Sequence, residues 1–139
     1  MQFAEETKIL TCILCPFGCQ LEVAFKVDVP KPEIVEVNGN RCKRGQAYAV
    51  LEATDPRRMV TSFVCVPGSL EPLSVKTAAP VPKSQVKDIL AAIQDIKATM
   101  PVAIGEVLLQ DVCGTGVDVV ATKTLKKKPP TGGVDHETR

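Results

Sequence analysis

The sequence predicts an α+β fold in two parts, a small loop-and-hairpin module bearing four cysteines and then a mixed β-sheet domain with one main helix. Three observations predict it. Gln20 to Val27 alternates apolar and polar residues, the period of a half-buried strand. Val86, Ile89, Leu90, Ile93 and Ile96 recur at helical spacing, so one apolar stripe faces a core. Short runs rich in β-branched residues, punctuated by Pro67-Gly68 and Gly114-Thr115-Gly116, read as strands and turns. A chain of 139 residues suits a small domain with an appended module. The expected boundaries are 1–55 for the cysteine module, 56–125 for the α+β domain and 126–139 for a disordered tail.

The elements follow in order. MQFAEETKIL has two adjacent glutamates and no basic stretch leading an apolar run, so it is not read as a secretory signal. Leu21, Val23, Phe25 and Val27 share one face of the first expected strand. Val29-Pro30-Lys31-Pro32 cannot offer a continuous row of amide donors and is expected to be the loop of a hairpin with Glu33 to Val37 as its second arm. Folding about Pro30/Lys31 sets Cys42 roughly opposite Cys19, although Asn38-Gly39-Asn40 should bend the arm first. Arg44 to Asp55 is expected to be a short connective helix, stopped before Pro56. Met59 to Val66 and Leu70 to Val75 read as two strands joined at Pro67-Gly68. Pro82 suits a helix's first turn, and that helix is expected to end before Pro101. Val102 to Val112 and Val117 to Thr124 are expected strands around a glycine turn.

Composition removes several function classes. A net charge of +1 argues against broad binding to nucleic acid or a membrane surface. With no tryptophan, one tyrosine and four phenylalanines, there is little from which to build a base-stacking surface. No stretch reaches the ~20 apolar residues of a membrane span, so no direct membrane insertion is expected and the expected location is cytoplasmic. The single histidine, His136, falls in the tail, and no nucleophile with its base can be assembled. The expectation is a non-catalytic protein.

Chemistry is concentrated in the cysteines. Cys12, Cys15, Cys19 and Cys42 form C-x2-C-x3-C-x22-C, and cytosolic thiols so clustered are read as ligands or redox groups rather than as a disulfide framework. Three ligands on one tight loop and a remote fourth can wrap a polynuclear centre, and iron–sulfur clusters commonly take four thiolates. Gly18 and Gly45 let the backbone approach such a centre, and Pro16 stiffens the loop. Structural zinc also takes four thiolates, usually from two paired knuckles. A dithiol redox motif would use Cys12 and Cys15 alone and leave the others unexplained. Cys65 and Cys113 lack cysteine neighbours in sequence and are expected to pack in the core. Arg57 and Arg58 read as a solvated turn or as part of a basic docking face.

CILCPFGC and GNRCKRG together resemble the N-terminal iron–sulfur module of the molybdopterin oxidoreductases, such as formate dehydrogenases. That resemblance covers roughly the first 45 residues. It implies that Cys12, Cys15, Cys19 and Cys42 hold a 4Fe-4S cluster and that Arg44 takes the place of a basic residue between cluster and pterin. The chain is too short for the molybdenum-holding domains, so formate oxidation is not expected. From about Thr7 to Leu125 the chain is also similar to a family of small CxxC-motif proteins of unknown function, through CILCPFGC, GNRCKRG, DPRRMVTS, VKTAAPVPK and PVAIGEVLLQDVCGTGVDVVAT. This second resemblance implies a genomic setting beside FAD-dependent oxidoreductases of the glycerol-3-phosphate dehydrogenase type.

The resulting expectation is an iron–sulfur electron-transfer or accessory subunit of such a flavoprotein oxidoreductase. Lys43, Arg44 and Arg41 would place positive charge near the thiolates and raise the cluster's potential. The alternative is a zinc-stabilised protein-interaction module without a redox role.

Overall fold

The alternating run QLEVAFK forms the middle strand of a three-stranded antiparallel sheet in the computed structural model, which describes residues 4–127. The chain divides into two compact units between Arg58 and Met59, and each has its own hydrophobic core. Most of the expected tail, 128–139, lies outside the described residues.

In the first unit the sheet order is β1 (Glu5–Thr11), β2 (Gln20–Lys26), β3 (Glu33–Asn38). β2 buries Leu21 and Val23 completely, each contributing about 1.5–3 kcal/mol of transfer free energy. β1 had no counterpart in the sequence analysis. Its residues are nearly all exposed, so EETKILT carries no period-two apolar signal, and only pairing with β2 makes it a strand. β2 and β3 pair Glu22 with Asn38, one residue displaced from the register that folding about Pro30/Lys31 predicts. A register shift between Ala24 and Phe25 changes the alignment again toward the hairpin loop.

Helix α1 (Lys43–Thr54) packs on β2 and β3. The sequence alone suggests a merely connective helix. Instead it covers the sheet, with Gly45 and Ala49 buried four residues apart on one face and Tyr48 and Ala53 packed beside them. Small residues let the helix lie close to the strands. The short strand β4 (Arg57–Arg58) ends the unit. Both arginines are engaged: Arg57 pairs with Asp55 at 2.9 Å, and Arg58 grips the Glu52 carboxylate with two guanidinium nitrogens at 2.9 and 2.5 Å.

The second unit carries an antiparallel sheet in the order β5 (Thr61–Val64), β6 (Leu73–Thr77), β9 (Val119–Ala121), β8 (Val107–Leu109). Alternation points Val64, Leu73, Val75, Val119 and Ala121 inward, where they meet helix α2 (Val86–Gln94) through Ile89 and Ile93. Strand β7 (Val81–Pro82) and a 3₁₀ turn over Lys83–Gln85 lead into α2. The α helix therefore starts after Pro82 and stops at Gln94, well short of Pro101. Ile96 still packs against the core beyond the helix end.

Two expectations fail for local reasons. Val102 to Val112 is not one strand, because Val102 makes only an isolated bridge with Leu125, the ladder with β9 is confined to Val107–Leu109, and the chain turns at Asp111, with φ 45°. The Asp111 carboxylate accepts the Gly116 amide at 2.6 Å, and the Asp118 carboxylate accepts the Asp111 amide at 3.0 Å. These bonds build a 3₁₀ corner over Val112–Gly114 that sets Cys113 on the surface. Cys65 is exposed as well, since Val64 and Val66 on either side of it are buried and an alternating chain must then turn Cys65 outward. Neither cysteine packs in the core.

Gly39 generates a stability prediction. Its φ is +86°, and a β carbon there would stand 2.0 Å from the Gln20 carbonyl oxygen. Gly114, at φ +70°, has nothing within 4 Å of the same position. Gly114→Ala should therefore cost only the left-handed strain, about 1–2 kcal/mol. Gly39→Ala should cost clearly more, because backbone must also separate. Urea unfolding of the two variants checks the difference, and equal losses would show that the close approach is unimportant.

Candidate metal centre

The loop TCILCPFGCQ leaves the sheet at Thr11 and rejoins it at Gln20, and these two residues pair. Cys12 and Cys19 are thus the next residues outward, and the Cys12 amide donates to the Cys19 carbonyl at 2.8 Å. Cys12 is buried with Leu21, Val23 and Ala49. Cys19 is half-buried, and Cys15 is exposed on the loop between them. Gly18, at φ +65°, turns the loop back toward β2, a conformation that suits glycine.

Cys42 reaches the same end of the unit from β3. That strand stops at Asn38, and Gly39 turns the chain against the Gln20 carbonyl. The Asn40 side-chain amide donates to the Cys42 carbonyl at 3.3 Å. Cys42 itself is the extended N-cap residue of α1. Two contacts tie this corner to the cysteine loop. A β carbon on Gly45 would lie 3.9 Å from Cys12 Sγ, so the first turn of α1 rests beside that sulfur. The Arg41 guanidinium sits over the Phe17 ring, 3.7 Å from its centroid.

The segments that carry all four cysteines therefore meet at one end of the first unit. The sulfurs themselves are not drawn into a ligand set. Among the described residues, no group of three or more His, Cys, Asp or Glu side chains is gathered closely enough to hold a metal ion.

The electrostatics of α1 are unusual. Its first turn has no acidic residue and instead carries Lys43 and Arg44, although cations at a helix N-terminus oppose its dipole by about 0.3–1 kcal/mol each. Ser, Thr, Asp or Asn would ordinarily cap such a helix. Cys42 makes no full capping hydrogen bond through its sulfur. Its thiol is nevertheless held below the ordinary value, first by the Gly45 amide; desolvation opposes this, and the Arg44 amide and guanidinium reinforce it. An anionic sulfur is the group this helix start favours.

As a donor set the residues fit an iron–sulfur cluster or zinc: four thiols on converging segments, one of them biased toward thiolate, with cations beside it. Cys12, Cys15, Cys19 and Cys42 would be the ligands, and Arg44 would lie next to Cys42. Sequence reasoning missed the Phe17–Arg41 contact, because nothing in CPFGC or GNRCK says that residues 24 apart in the chain will stack. An open cavity of about 560 Å³ belongs to the second unit and is lined by Gly68, Leu70, Met100 and Leu125 among others. None of the four cysteines touches it.

Fold and site together define an α+β protein with a four-cysteine corner on a three-stranded sheet. The chain belongs to a family of proteins of unknown function, DUF1667, whose model matches residues 43–123. The match begins one residue after Cys42, so the four cysteines precede it. Among solved structures the chain is similar to the NMR structure of Clostridium perfringens protein CPE0013, at 26% identity, over 60% of this chain and 95% of that one, with a TM-score of 0.47. No curated protein matches the chain. Among the described residues no helix is long and apolar enough to cross a membrane.

The depressed Cys42 thiol is testable on metal-free protein. Its alkylation rate should rise with pH around a midpoint below that of an unstructured thiol, and Arg44→Ala should move the midpoint upward. The linkage has the sign of an acid whose folded pKa is lowered. Its contribution to stability is complete above the unfolded thiol pKa and is lost as pH falls through the folded value. A midpoint at or above the unstructured value would contradict the assignment.

Proposed function

We propose that this chain is a cytoplasmic iron–sulfur electron-transfer or accessory subunit, with Cys12, Cys15, Cys19 and Cys42 as ligands of a 4Fe-4S cluster and an FAD-dependent oxidoreductase as its partner. One observation carries the reading: the Cys42 helix start is folded onto the Cys12–Cys19 loop, with cations where an isolated helix would place acids. Those cations make sense beside thiolates. Lys43 and Arg44 offset the negative charge of four ligating sulfurs, and the Gly45 amide adds a donor at Cys42. A cluster held here would take up and pass on single electrons.

The exposed surface of the cysteine loop supports a subunit rather than a self-sufficient enzyme. Ile13, Leu14 and Phe17 are exposed on the cysteine loop itself, where a redox partner would have to approach. The flavoprotein partner rests on the resemblance to small CxxC-motif proteins. The resemblance of CILCPFGC and GNRCKRG to the molybdopterin-oxidoreductase module supports iron–sulfur ligation in preference to zinc.

Anaerobic reconstitution with ferrous iron and sulfide tests the centre. The protein should gain broad visible absorption that bleaches with dithionite, and about four irons per chain. Cys42→Ser should lose most of that iron. A colourless protein holding one zinc per chain would overturn the redox role in favour of a zinc-stabilised interaction module. If the cluster forms, co-purification with an FAD-containing protein from the native host tests the partner, and recovery of the chain free of any flavoprotein would count against it.

A further inference from the structure

Arg41 and Phe17 belong to neither the ligand set nor either hydrophobic core, yet they make the one aromatic–cation contact found among the described residues. Phe17 lies two residues after Cys15 and two before Cys19, and Arg41 immediately precedes Cys42. The contact therefore joins the exposed middle of the cysteine loop to the start of α1. Elsewhere this loop is fastened at its base, by the Cys12 amide on the Cys19 carbonyl. Phe17 is 59% exposed, so burial does not account for its position. A guanidinium over a ring face is attracted by the ring quadrupole, and at an exposed site this multiplies an equilibrium by roughly 2- to 5-fold.

We infer that Phe17 and Arg41 are a positioning pair, a clasp that holds the Cys15 part of the loop against Cys42 and slows release of a metal held by the four cysteines. The inference rests on the four-cysteine reading above. Neither residue supplies a ligand. Arg41 thus has a different task from Lys43 and Arg44, whose charges lie in the first turn of the helix.

The test compares wild type with Phe17→Leu, Arg41→Gln, their double variant and Phe17→Trp. Leucine keeps apolar bulk without a ring, and tryptophan offers a stronger π face. Each protein is loaded anaerobically with ferrous iron and sulfide, and loss of iron to a ferrous chelator is timed. Release should be roughly 2- to 5-fold faster in each ring- or charge-removing variant. The double variant should be no faster than the singles, because both remove one shared contact. Phe17→Trp should match wild type or release more slowly. Wild-type rates in the single variants, or a double variant whose acceleration is the product of the singles, would overturn the clasp while leaving the cluster intact.

A second arm needs no metal. In NMR spectra of the metal-free protein, Arg41 side-chain protons should be shifted upfield by the Phe17 ring. Cross-peaks between residues 15–19 and 41–42 should weaken in Phe17→Leu and Arg41→Gln and return in Phe17→Trp. If wild type takes up no metal, the proposed function fails. The contact is then judged by this arm alone, and unshifted Arg41 protons would overturn it.

Discussion

The close approach of Gly39 to the Gln20 carbonyl is the constraint from which the arrangement of the first unit follows. A residue with a β carbon could not occupy that position with φ +86° and an oxygen 2.0 Å away. Because glycine can, the chain leaves β3 by turning across the end of β2 instead of running on past it. Cys19 immediately precedes Gln20, so the turn delivers Asn40, Arg41 and Cys42 to the cysteine loop. α1 then starts beside Cys12 and packs back along the sheet, which requires the small Gly45 and Ala49 on its inner face.

That placement sets up an electrostatic imbalance. Lys43 and Arg44 stand at the positive end of α1 with no acid in the first turn, and the residues from Thr11 to Gln20 contain no carboxylate. Among the described residues of that loop and of the first turn of α1, the thiols are the groups able to become anionic. Local repulsion and thiolate chemistry are thus complementary, since the arrangement that burdens an isolated helix favours ionised cysteine at its start. The same corner exposes Ile13, Leu14 and Phe17, so the charge of the helix start and the apolar surface of the cysteine loop share one end of the unit.

The second unit obeys simpler rules. Period-two alternation in β5, β6 and β9 and the helical stripe of α2 bury Leu73, Val75, Ile89, Ile93 and Val119 together. Thr77 is fully buried among them, and its hydroxyl accepts the Val60 amide at 3.1 Å, which satisfies a polar atom in an apolar setting. The irregular stretch from Asp111 to Asp118 is held by carboxylates accepting backbone amides. Short polar side chains there compete successfully with strand pairing.

The sequence by itself determined the α+β class, the β2–β3 hairpin, the apolar face of α2 and the spacing of the four cysteines. Each is written in local periodicity, in proline and glycine positions or in spacing, and so survives without knowledge of what lies nearby. Tertiary structure decided that EETKILT is a strand, that Cys65 and Cys113 face solvent, that α1 covers a sheet, and that Arg41 lies over Phe17. An edge strand borrows its hydrogen bonds from a neighbour, and a stack between distant residues depends on a turn made elsewhere. Such contacts are set by the three-dimensional path of the chain, which no window of adjacent residues contains.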